Sequence, residues 1–160
     1  MKKKRLKTID IEIAVAIYFN IRVNLIVPNI SWGLFLHECD LLVLTPSGFA
    51  WEIEIKVTKA DLIKDKEKKH NHYNSKIKSL YFAIPDYLQY CIEHIPKRAG
   101  IILVNERLHC KTFRKPETNK NAYKFSLNER YHMARLGSMR IWRLKKKIQL
   151  LNLMLQDSDK

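Results

Sequence analysis

Apolar positions along this chain recur in two rhythms, one helical and one alternating, and together they lay out a fold. Between Thr8 and Asn20, the residues Ile9, Ile13, Ala16 and Ile17 fall at helical spacing and predict a first helix that buries them. Ile21 to Val27 reads as a strand ended by Pro28-Asn29. His37 to Leu44 and Ala50 to Val57 form two further strands joined by Thr45-Pro46-Ser47-Gly48-Phe49. Thr58, with Asp61 three residues later as its reciprocal capping partner, opens a second helix expected to reach Asn74. Leu80 to Ile84 is a short buried strand stopped by Pro85, Asp86 to Ile95 a helix stopped by Pro96, and Ala99 to Val104 another apolar strand. Glu106 to Lys124 is polar and basic and reads as a strand followed by an exposed loop. Ser126-Leu127-Asn128-Glu129 is a capping box that starts a long final helix towards Leu155, with Gly137-Ser138 a place for it to bend. The stripe of that helix is Leu127, Tyr131, Ala134, Ile141, Leu144, Ile148, Leu151 and Leu155, read as core or dimer contact.

This alternation of helices and strands predicts an α/β fold, a mixed β-sheet flanked by helices. The length of 160 residues suits one domain. Its core would span about residues 8–104, with a basic extension and C-terminal helix over about 105–155, and Met1 to Lys7 a frayed basic arm.

The strands around the Pro46-Ser47-Gly48 loop carry charges that a buried strand rarely tolerates, because an unpaired charge is costly to desolvate. A three-residue loop closed by Gly in the left-handed conformation pairs Thr45 with Phe49. Counting outward, Asp40 then faces Glu54, and Glu38 faces Lys56. Side chains alternate along a strand, so Glu38, Asp40, Glu52, Glu54 and Lys56 share one sheet face. Cys39, Leu41, Val43, Trp51, Ile53, Ile55 and Val57 share the other, which should pack on a helix. A divalent metal acting at a phosphodiester would account for such a carboxylate pair with a lysine beside it.

Net charge changes the expected partner. The formal charge of +14 and pI near 9.8 point to a polyanion, nucleic acid before anionic membrane. Cys39, Cys91 and Cys110 are odd in number and lack CxxC spacing, which suits a reducing, cytoplasmic setting and neither a disulfide framework nor a zinc site. The stretch to Leu36 is interrupted by Asn20, Arg22, Asn24 and Pro28, so it does not read as a membrane span.

The run His37-Glu38-Cys39-Asp40-Leu41-Leu42-Val43, followed across the hairpin by Glu52-Ile53-Glu54-Ile55-Lys56-Val57-Thr58-Lys59-Ala60-Asp61-Leu62, resembles the PD-(D/E)XK nuclease superfamily with its restriction-endonuclease-like core. With Tyr81-Phe82-Ala83-Ile84-Pro85 and Ala99-Gly100-Ile101-Ile102, it is most similar to the MmcB-like DNA-repair and phage-encoded group, over about Thr8 to Val104. Cys39 stands where the superfamily pattern has proline. The resemblance implies a bacterial or phage-encoded, metal-dependent deoxyribonuclease serving DNA repair, recombination or phage DNA processing. It implies Asp40 and Glu54 as ligands of magnesium or manganese, with the main-chain carbonyl of Ile55 as a further ligand. It gives Lys56 the task of orienting water or stabilising phosphate charge, and Glu12 the place of an acid some members add to the site. Members that have lost activity only bind, so a DNA-binding or repair-accessory module is the alternative.

Supporting positions have duller readings beside the functional ones. Asp40, Glu54 and Lys56 also fit a structural ion-pair cluster, and Glu12 an exposed helix surface. Glu38 fits a supporting role, Glu52 a peripheral one near the turn, and His37 a satisfied strand-end histidine or a proton shuttle. His70 and His72, two apart on the expected helix, would sit on different faces and make a poor metal pair. Lys59, Lys64, Lys66, Lys68 and Lys69, then Arg135, Arg140 and Arg143, are the expected phosphate contacts, with DNA favoured over RNA and a homodimer as an added expectation. No nucleotide-binding loop or nucleophilic triad occurs.

Overall fold

The structure, a computed structural model, describes residues 5–30, 36–65 and 72–158. Its centre is a 6-stranded sheet whose spatial order is the chain order, β1 (Leu25–Ile30), β2 (Cys39–Leu44), β3 (Ala50–Ile55), β4 (Ile77–Pro85), β5 (Gly100–Val104) and β6 (Cys110–Arg114). β1 to β3 form an antiparallel meander, β3, β4 and β5 run parallel, and β6 returns antiparallel. The parallel strands are joined by α2 (Lys59–Asp65) with the segment after it, and by the 3-10 helix η1 (Asp86–His94). The α/β class and the mixed sheet are therefore as the residue pattern predicts.

The hairpin register also follows from its loop. Thr45 N donates to Phe49 O at 2.9 Å, and Leu41 pairs with Ile53 and Leu44 with Ala50, so the same register brings Asp40 level with Glu54. Gly48 takes a φ of +88°, the left-handed value that closes such a loop without a Cβ penalty. One sheet face packs on α1 (Thr8–Tyr18) through Leu41, Val43, Ile53, Ile55, Ala83 and Ile102. The other is covered by α2 and η1 over Leu80, Phe82 and Ile84, and by Phe125 and Met133 over Leu42, Leu44 and Ala50. Cys39, expected with the first face, instead joins the second cluster beside Ile30, its partner across β1.

Several boundaries and faces differ from the expectations. α1 buries Ile11, Ala14 and Val15, whereas Ile9, Ile13 and Ile17 are at least half exposed. The helix is apolar nearly all round, so spacing does not choose its face, and buried Leu6 and Phe19 anchor the other side. Leu6 also means the basic arm is not frayed throughout, and Met1 to Lys4 lie outside the described residues. β1 starts at Leu25 because Asn20 to Val23 forms a turn, and it runs through Pro28, which an edge strand accommodates. Thr58 caps α2 as expected, with its hydroxyl 2.7 Å from Asp61 Oδ2. The helix does not extend to Asn74, since His72 has a φ of +57° in a turn. Lys66, Lys68, Lys69 and His70 lie outside the described residues.

The Ser126–Glu129 capping box opens α3 (Leu127–Ser158), which runs unbroken through Gly137-Ser138. Its expected stripe is not core: Ile141, Leu144, Ile148, Leu151 and Leu155 are all exposed, and Met133 is the helix's fully buried contact.

Candidate metal centre

Strand alternation delivers Glu52 and Glu54 to the face covered by α2, and both are almost wholly buried. Lys56 follows the end of β3, where its backbone N–H donates to Ala83 O at 3.1 Å. Its ammonium reaches Glu54 Oε2 at 2.5 Å, Asp65 Oδ1 at 3.1 Å and Asp40 Oδ2 at 3.7 Å. Asp40 Oδ2 also accepts the Ile55 N–H at 2.7 Å, a cross-strand bond that fixes the carboxylate against β3. The residues expected from sequence to form the centre, Asp40, Glu54 and Lys56, therefore do converge at one end of the hairpin.

Behind them lies a second layer that sequence reasoning missed. His72 Nε2 is 2.8 Å from Asp65 Oδ2, and His72 Nδ1 is 2.6 Å from Glu52 Oε1. The same Glu52 oxygen is 2.8 Å from His37 Nε2. Glu52 is thus the hub of this layer and not peripheral to it, and its Oε2 is buried with no hydrogen-bond partner. Asp65 had a legible signal: it lies three residues after Leu62, so a helix capped at Thr58 that buries Leu62 turns Asp65 towards the sheet. His72 had none, because its position follows from the turn.

Electrostatics show how these charges coexist. Burial lifts the Glu54 carboxyl above its ordinary range, and neighbouring Asp40 adds to that, against the pull of Lys56. Burial would raise Glu52 too, but its bonds with His37 and His72 outweigh this and hold it below the usual range. Burial opposes the charged form of His72, yet the Asp65 and Glu52 carboxylates push its pKa up to about 9. Burial likewise opposes a charged Lys56, and Glu54, Asp40 and Asp65 overcome it. His72 and Lys56 are therefore internal cations that partly neutralise Asp40, Glu52, Glu54 and Asp65.

The donor set fits a divalent cation. His37, Glu52 and His72, and separately Glu54, Asp65 and His72, each bring ligand atoms within 4.8 Å of one another. On the solvent side an open cleft of about 520 Å³ is lined by Asp40, Ile55, Lys56, Asp61, Lys64 and Asp65, among others. A metal at His72 would have to displace a strongly held proton, whereas Asp40 offers a hard oxygen donor at the cleft, with Glu54 buried behind it.

The remaining expected residues divide by position. Glu12 is half-buried, and its carboxyl is raised first by burial and then by Asp40, with Arg140 opposing, so it belongs to the surroundings of the site. Glu38 is exposed, and Lys56 pairs with Asp40, Glu54 and Asp65. Lys59 and Lys64 are exposed on α2, and Lys64 lines the cleft. Arg135 and Arg143 are exposed on α3, while an Arg140 guanidinium nitrogen donates to Asn29 O.

No family model and no curated protein matches the chain. Among solved structures, the SPO1766 protein of unknown function from Silicibacter pomeroyi is similar, with a TM-score of 0.64 and 17% identity over 93% of this chain and 94% of that one. That likeness shows a shared fold. No helix among the described residues is long and apolar enough to cross a membrane.

Proposed function

We propose that this chain is a metal-dependent nuclease of the PD-(D/E)XK type, hydrolysing phosphodiester bonds of DNA with magnesium or manganese. The observation that carries the reading is the convergence of Asp40, Glu54 and Asp65 on Lys56 beside an open cleft that Lys64 also lines. Asp40 and Glu54 would hold the ion, helped by the Ile55 carbonyl, and the ion would activate water and neutralise charge on the phosphate. Asp65 positions Lys56 by an ion pair, while His72 and Glu52 hold Asp65 in place from behind. Lys56, raised in pKa and so cationic at neutral pH, is suited to orienting water or stabilising the developing phosphate charge.

A DNA-binding module without catalysis is the second reading, favoured by one feature: the Lys56 ammonium itself already neutralises these carboxylates. The two separate in a cleavage assay on single-stranded, duplex and branched DNA, and on RNA, with magnesium or manganese. Cutting by the wild type that Glu54→Ala abolishes supports the nuclease. Salt-sensitive DNA binding without cutting on any substrate selects the binding module.

A further inference from the structure

α3 continues for many residues past the sheet it docks on. Up to Arg140 the helix packs on the sheet: Met133 is fully buried, a Cβ on Gly137 would lie 3.5 Å from Val27 Cγ2, and Arg140 bonds Asn29 O. Beyond it, Ile141, Leu144, Ile148, Leu151 and Leu155 are between 49% and 64% exposed. Their spacing alternates three and four residues, and at 3.6 residues per turn they occupy an arc of roughly 80°. That arc is the narrow seam of a coiled coil. Exposed Trp142, Leu150 and Leu153 lie well off that arc, so the apolar residues are not gathered on one broad face as in a membrane-surface helix.

We propose that this seam pairs with the same seam of a second copy of the chain, in antiparallel orientation, to make a homodimer. Orientation follows from sterics. Met133, Gly137, Arg140, Leu144, Ile148 and Leu151 succeed one another at three- and four-residue steps, so the seam is the sheet-facing side of α3 prolonged. A parallel partner helix would run back into the space that β1 already fills. An antiparallel partner does not: with Ile148 against Leu151 of the second copy, Leu144 meets Leu155, and the helix end at Ser158 comes level with Ile141, where the seam begins.

Charge agrees with this. A parallel pair sets Arg140 beside Lys145 of the second copy, whereas the antiparallel register sets Lys147 near Met154 and Lys145 near Asn152. Pairing along this stretch removes on the order of 1,000 Å² in total from water, the lower bound for a specific interface, so the dimer is a weak, reversible one.

Sedimentation of the full chain over roughly two decades around micromolar concentration tests this. The wild type should pass from monomer to dimer, and Leu151→Lys should weaken association by about a hundredfold or more, because each dimer loses two buried leucines. Orientation is read from Ile148→Cys and Leu151→Cys under mild oxidation, with the wild type as control. A mixture of the two should crosslink while each alone does not. A wild type that stays monomeric throughout, or that binds anionic vesicles without self-associating, overturns the dimer. Crosslinking of each variant to itself overturns the antiparallel register.

Discussion

Lys56 Nζ lies 3.1 Å from Asp65 Oδ1, so the ammonium that follows the third strand is held by the last turn of the helix after it. Asp65 therefore sets where Lys56 points, although it lies outside the expected motif. Asp65 also offers an oxygen within 4.8 Å of ligand atoms of Glu54 and His72, and Asp65→Asn should lower manganese affinity about 10–100-fold, the cost of losing a group beside the metal ligands. Calorimetric titration of manganese into the two proteins measures this. Equal affinities would remove Asp65 from the site.

Replacing Lys56 acts on stability as well as chemistry. Lys56→Met leaves Glu54 and Asp65 buried without their shared cation. Breaking a buried pair from one side costs about 3–5 kcal/mol. The prediction is a lowered melting temperature in chelator and a larger manganese-induced rise than in wild type, since the metal then supplies the missing charge. A melting temperature unchanged in chelator would show that these carboxylates do not depend on the ammonium.

How much of this was legible in the sequence depends on whether the cause was local. The Pro46-Ser47-Gly48 loop fixes the β2–β3 register within a few residues, so Asp40, Glu54 and Lys56 could be brought together by counting. The caps at Thr58 and Ser126 were equally local. The buried face of α1 was not, because an all-round apolar helix takes its orientation from the sheet it meets. His72 was hidden for a similar reason. Its place between Asp65 and Glu52 depends on a left-handed residue in a segment whose polar pattern reads as helix.

Gly48 has two reasons to be glycine. Its φ is +88°, and a Cβ there would fall 2.1 Å from Nη2 of Arg130, whose Nε donates to Phe125 O. Gly48→Ala should destabilise the protein by about 1–3 kcal/mol through backbone strain and displacement of that arginine. Chemical denaturation reads the loss directly, and a change within error would mean that the turn relaxes freely.

The start of α3 should be acid-sensitive through Glu129. Burial works against its ionised form, but bonds from Lys76 and Ser126 prevail and take its pKa from 4.5 down to about 2. A depressed carboxyl stabilises the fold fully above its ordinary pKa, and that contribution disappears as pH falls from 4.5 through about 2. With solvent screening it amounts to about 1 kcal/mol. Glu129→Gln should therefore be less stable than wild type at neutral pH, with the gap closing across this window. A gap independent of pH would mean that the charge contributes nothing.

Positive charge on α2 and α3 should govern nucleic-acid affinity. Lys59 and Lys64 are exposed on α2, and Arg135 and Arg143 are exposed on α3, whereas Arg140 is engaged with Asn29. Affinity for DNA comes mainly from phosphate contacts that release counterions, and these are spread over many side chains. Replacing Lys59, Lys64, Arg135 and Arg143 together by Gln should weaken binding to every duplex sequence alike. The plot of log affinity against log salt should flatten by about 0.9 for each phosphate that is no longer neutralised. Arg140→Gln alone should change the slope less, because its guanidinium is already held by a backbone carbonyl. On the nuclease reading proposed above, Glu54→Ala should by contrast abolish cleavage while leaving the slope in place, which would separate a charge that binds DNA from a centre that cuts it. A slope unaffected by the fourfold replacement would identify these side chains as solvated surface, and the excess of +14 would then no longer argue for a nucleic-acid partner.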